Sequence, residues 1–133
     1  MNIPFIVAGL LALTAAAIHG GLGEKIVVRR LGVETLPSTQ FGGARMTLLM
    51  IRVTWHITSL AFLVLGSALL VCSPGEPSGA CQGIGRLSSI SFASYFLLAG
   101  ALAFPNIRRT VRRHPAPIVF LAVAVLSWVG AGR

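Results

Sequence analysis

An all-α membrane protein, built as a four-transmembrane-helix up-down bundle with both termini outside, is the fold class this sequence predicts. Three observations carry that expectation. The chain of 133 residues is 55% hydrophobic and 11% charged, against about 25% charged in soluble domains. Four continuous apolar stretches, about Ile3–Leu22, Met46–Val71, Leu87–Phe104 and Pro115–Gly130, come close to the ~20 residues a helix needs to cross a ~30 Å hydrocarbon layer. Nine of the eleven Lys and Arg residues lie between or just inside alternate stretches. The apolar runs do not alternate with polar residues, which excludes a transmembrane β-barrel.

Charge placement orients the bundle. Lys25, Arg29, Arg30, Arg45 and Arg52 belong to the first connection and Arg108, Arg109, Arg112 and Arg113 to the third, whereas the second carries only Arg86 and the C-terminus only Arg133. Basic residues beside membrane spans stay on the cytoplasmic side. Loops 23–45 and 105–114 are therefore expected in the cytoplasm and loop 72–86 in the periplasm or outside, in a bacterial inner membrane. The net charge of +8 is confined to short connections beside the bilayer, so anionic headgroups, not nucleic acid, are its expected partner.

The first apolar stretch lacks a basic residue ahead of it and carries its basic cluster behind, the reverse of a secretory signal, so it is expected to be retained as a helix. Its end, His19-Gly20-Gly21-Leu22-Gly23-Glu24-Lys25, is loosened by glycines, and Ile26-Val27-Val28-Arg29-Arg30 is expected at the interface with its Arg side chains reaching headgroups. Leu36-Pro37-Ser38 then turns and offers Ser38 as the cap of the second helix, which is expected to start between Ser38 and Arg45. The second connection, Cys72-Ser73-Pro74-Gly75-Glu76-Pro77-Ser78-Gly79-Ala80-Cys81, is polar and bounded by the only two cysteines. On an oxidising face these are expected to pair as Cys72–Cys81, because two thiols are too few for a structural zinc site. In the third connection Pro105 is expected to disturb one helix end and Pro115 or Pro117 to open the next, with His114 among the headgroups. The fourth stretch is short and should cross with little tilt.

Polar side chains inside a membrane are costly, so their pattern is informative. Steps of seven, four and three put Arg45, Arg52, His56 and Ser59 on one face of the second helix, expected to point into the bundle. Ala8, Ala12, Ala15, Ala16, His19 and Gly23 share a face of the first, where small residues let a neighbour approach. Ser88, Ser91, Tyr95 and Asn106 form a stripe on the third. Antiparallel connection brings His19 and His56 to a similar depth. Two histidines on facing helices are the arrangement of a six-coordinate haem b, with His19 and His56 as metal ligands and Arg45 and Arg52 near the propionates. A quinone or lipid site at Arg52, His56 and Tyr95 is a second possibility. The simplest reading is a polar clamp in which the histidines satisfy their hydrogen bonds on Glu24, Arg52, Ser59 or a backbone carbonyl.

Catalytic signatures are missing. The chain has no Asp, and Glu24, Glu34 and Glu76 all lie outside mid-membrane positions. Nucleophile-elbow, phosphate-loop and zinc-protease motifs are absent. A stand-alone enzyme is not expected, and the small mass outside the bilayer suggests a structural or accessory subunit of a larger respiratory, photosynthetic or transport complex, with other membrane subunits or a second copy as partners.

His19-x3-Gly23-Glu24 followed by Arg52-x2-Trp55-His56-x2-Ser59 resembles a pattern in small bacterial four-helix integral membrane proteins. The resemblance covers the first two helices and brings no activity with it. His19-x3-Gly23 is also loosely similar to the haem-bearing membrane anchors of succinate dehydrogenase, from which this chain departs in having a fourth span and a Cys-bounded loop.

Overall fold

The computed structural model describes residues 1–40, 42–75, 78–103 and 114–133. Among them all regular structure is helical. α1 (Ile3–Ala17) passes without a break into a π-helical segment (Ile18–Gly23), one further turn α2 (Glu24–Ile26) and a 3₁₀ turn (Val28–Arg30). α3 spans Gly43–Val71, α4 Gly79–Ala103 and α5 Ala116–Ala131. The run from Ile3 to Arg30, α3 and α4 are each long and apolar enough to cross a membrane. α5 is apolar but has only 16 residues, about 24 Å of helix.

Local chemistry sets the ends. Asn2 caps α1, its side-chain oxygen accepting the Phe5 N–H, and Pro4 fits a first turn whose N–H groups have no helical partner. Ser38 does not cap α3, contrary to expectation. Gly42 holds that position with φ 111° and no side-chain cap, a left-handed conformation that glycine adopts without cost. The turn made by Gly42 and Gly43 leaves Ser38 outside the helix, and Thr47 ties the approach down by donating to the Pro37 carbonyl at 3.2 Å. α4 begins at Gly79, well ahead of the apolar stretch at Leu87, because the Ser78 hydroxyl accepts the Cys81 N–H at 3.3 Å and the Ser78 carbonyl accepts the Gln82 N–H at 2.9 Å.

α1 is the central helix. It packs along α3 on one side and α5 on another, while α5 packs most extensively on α4 and the α3–α4 contact is small. Gly9 and Gly66 bring α1 and α3 together: a Cβ on Gly9 would lie 2.8 Å from the Gly66 carbonyl oxygen. Such backbone approach is how helices associate where lipid removes the hydrophobic drive.

One end of the bundle is locked. Phe5 is fully buried against Gly85, Gly130 and Ala131, and a Cβ on Gly85 would meet its ring at 2.8 Å. The Asn2 amide donates to the Gly130 carbonyl at 2.8 Å and the Asn2 N–H to the Ser73 carbonyl at 2.7 Å. Cys72 and Cys81 form a disulfide with Cα atoms 5.4 Å apart, joining α3 to α4 as expected. Mid-bundle, Phe62, Phe92, Tyr95 and Phe120 knit α3, α4 and α5 together, with ring centroids 5.2 to 6.0 Å apart.

Candidate functional site

His19 is the second residue of the π-helical segment. Gly20, Gly21 and Gly23 withhold the side chains that would favour a regular α ladder there, and π turns of this kind are rare and recur at functional sites. Three residues of α3 grip the result. His19 Nδ1 lies 2.9 Å from Ser59 Oγ. The Trp55 indole N–H donates to the His19 carbonyl at 2.9 Å, and the Trp55 ring stacks on the imidazole at 4.1 Å and 14°. Phe62 meets His19 edge-on at 5.8 Å. Gly23 makes room for the indole, since a Cβ there would come within 2.6 Å of it. Through Phe62 the imidazole is continuous with the four-ring aromatic core.

One turn further along, the Glu24 side chain is 17% exposed and lies 3.7 Å from Arg29 Nε and 3.6 Å from His56 Nε2. Both separations are ion-pair distances longer than a hydrogen bond. A pair as open as Glu24–Arg29 contributes at most about 1 kcal/mol.

The antiparallel register sets depth. Asn2 pairs with Ser73, Gly9 abuts Gly66 and His19 meets Ser59. At 1.5 Å per residue His19 sits roughly 20–25 Å from the disulfide end. Glu24 and His56 lie further from that end.

The polar stripe of α3 does not point into the bundle. Arg45, Arg52 and His56 are exposed, and Ser59 is half-buried against His19. Trp55 and Phe62, rotated to one side of the stripe, take the inward positions, which leaves the Arg and His residues along the outer edge of the α1–α3 seam. A shallow groove runs there, walled by Leu13, Ala16, Ala17, His56, Ser59, Leu60 and Leu63. Tyr95 belongs to the aromatic core, apart from Arg52 and His56. The two imidazoles enter separate contacts, His19 with Ser59 and His56 with Glu24, both among the partners a polar clamp would use. Neither contact aims the pair at a common iron, so the haem arrangement gains no support. Among the described residues no three His, Cys, Asp or Glu side chains cluster as a metal site. On α4 Ser88 is fully buried and its hydroxyl has no partner among the described residues. Asn106 and the basic residues of the third connection lie outside the described residues.

Beside the clamp is a cavity of about 360 Å³, bounded by the π-helical segment, by Trp55 and Phe62, and by residues 114–120 at the start of α5. Its walls are almost wholly apolar, and its polar side chains are Thr14, His19, Trp55 and His114. Sequence reasoning missed Trp55 and Phe62 as site residues, although Trp55-x3-Ser59-x2-Phe62 has the i, i+4, i+7 spacing of a single helical face.

Comparison with known protein families, with characterised proteins and with solved structures finds no match to this chain.

Proposed function

We propose that the chain is a four-helix protein of the bacterial cytoplasmic membrane with a structural or accessory role, working as a small subunit of a larger membrane assembly. In this reading the basic connections face the cytoplasm, and both termini and the disulfide loop face out. The resemblance to small bacterial four-helix membrane proteins belongs to the same reading. The single observation that supports it best is the outer edge of α3. Between Val71 and His56 lie about 22 Å of helix, so the imidazole falls within the hydrocarbon layer, yet half of its side chain is exposed and its nearest charged group is Glu24 at 3.6 Å. A polar group left facing lipid at that depth is expensive. The adjacent groove, floored by Ala16 and Ala17, would let a partner helix approach closely and cover it.

The test is purification from native membranes in lipid nanodiscs. The wild-type chain should carry other membrane subunits with it, and Ala17→Trp, which fills the groove, should lose them. If the chain is recovered monomeric, monodisperse and alone, the accessory reading fails. Recovery solely with a second copy of itself would replace that reading with self-association.

A further inference from the structure

The cavity beside His19 has the makings of a ligand site that a purely structural bundle does not need. At about 360 Å³ it sits at the small end of ligand pockets, which run from ~300 to ~1,000 Å³ and pair apolar walls with a few placed polar groups. That volume suits one substituted ring and the start of a tail, not a whole lipid. Leu11, Ile18, Val119 and Phe120 supply apolar wall, and the π-helical segment supplies the His19 imidazole, held by Ser59.

The hydrogen bonds around His19 define what that imidazole offers. Ser59 has a single hydroxyl proton, and its Oγ donates it to the Trp55 carbonyl at 3.2 Å. With that proton on the carbonyl, Ser59 meets His19 with a lone pair, and the 2.9 Å contact takes the tautomer whose Nδ1 carries the proton. In that tautomer of the neutral imidazole, Nε2 is an acceptor. Trp55 stacks on the ring and binds the His19 carbonyl, fixing both the plane and the tilt of the imidazole. Nε2 takes no hydrogen bond from the described residues.

We propose that this cavity binds the reduced, hydroxyl-bearing ring of a hydroquinone-class lipid, with the ring O–H donating to His19 Nε2. An acyl tail has nothing to give an acceptor, and a quinone carbonyl is itself an acceptor and meets Nε2 lone pair to lone pair. A hydroquinone fills both requirements, a flat apolar ring for the aromatic and aliphatic walls and a donor for the nitrogen. This inference concerns the inner face of the α1–α3 seam and stands whether or not a partner covers the outer one.

The experiment uses the full chain in nanodiscs with Trp128→Phe, so that Trp55 is the only indole and reports binding by its emission. Three probes share one decyl tail: a benzohydroquinone kept reduced under anaerobic conditions, the corresponding benzoquinone, and the hydroquinone dimethyl ether. Saturable binding of the hydroquinone is expected, at least tenfold tighter than either of the others. Val119→Phe, which occupies the cavity and leaves Ser59, Trp55 and His19 in place, should abolish saturation while the thermal midpoint holds. Binding of all three probes within about twofold of one another would make this a tail site and overturn the proposal. So would tighter binding of the quinone, unchanged binding in Val119→Phe, or no saturation with any probe.

Discussion

The disulfide end and the basic end of this bundle solve the same packing problem in opposite ways. At the disulfide end every element is tied to another: Asn2 bonds to both Ser73 and Gly130, Phe5 fills the space that Gly85 and Gly130 leave, and Cys72–Cys81 joins α3 to α4. At the basic end glycines also thin the helix, but there they open a π turn, and the space is shared between the Trp55 indole and a cavity. Glycine is the same device in both places. What differs is whether a facing side chain fills the gap, and the end where the gap is only partly filled is the one that places an imidazole on a cavity wall.

The largest consequence should appear at Phe5. Replacing a fully buried ring with alanine costs about 3 kcal/mol or more when the site cannot collapse, and the rigid α1, α4 and α5 backbones around Phe5 give it little room to do so. Phe5→Ala should lower stability by about that much in reversible detergent unfolding of the full chain. A loss below about 1 kcal/mol would mean that the slot relaxes, and the contrast between a locked end and an open one would disappear.

The sequence made part of this contrast legible and hid the rest, for physical reasons. Hydrophobic length marks four apolar helices, three of them long enough to cross a membrane, and the disulfide follows from two cysteines in a polar loop whose expected compartment is oxidising. Helical periodicity put Arg45, Arg52, His56 and Ser59 on one stripe, but a stripe does not state which way it faces; Trp55 and Phe62, larger and apolar, outcompete it for the interior. The Phe5 slot depends on Gly85 and Gly130, which are far apart in sequence and carry no local signal. The π-helical segment was visible only as a glycine cluster, since glycines loosen a helix without specifying which hydrogen-bond register replaces the α one.

A second, smaller effect sharpens the comparison at the disulfide itself. Closing a loop with a sequence separation of 9 stabilises by roughly 2.5–3 kcal/mol in the chain-entropy description. The double replacement Cys72→Ser with Cys81→Ser should lose up to that amount, with Asn2 and Phe5 still holding the end together. The same cysteines report orientation. After mild reduction an impermeant thiol reagent applied to intact cells should reach Cys72 and Cys81, and a cysteine introduced at Gln40 in the double-serine background should stay protected. Labelling at Gln40 would reverse the orientation and put the disulfide in a reducing compartment.

The smallest effects belong to the clamp, where their coupling is more informative than their size. Interhelical hydrogen bonds within membranes average about 0.6 kcal/mol, because helices separated in lipid find other partners. Ser59→Ala should therefore cost about 0.6 kcal/mol, and Trp55→Phe, which removes the indole N–H but keeps an aromatic face, about as much. Both side chains hold one imidazole, one through Nδ1 and the other through the carbonyl and the ring face. If they act as one device, the two changes are not independent: once Trp55 stops fixing the ring, Ser59 meets a mobile imidazole and its bond is worth less. A double-mutant cycle in detergent unfolding should then show a coupling of about 0.5 kcal/mol, near the lower limit of what such cycles resolve. Strict additivity would show that Ser59 and Trp55 fasten α3 to α1 separately. His19 would then be free to reorient at the cavity wall, and the fixed Nε2 acceptor would go with it.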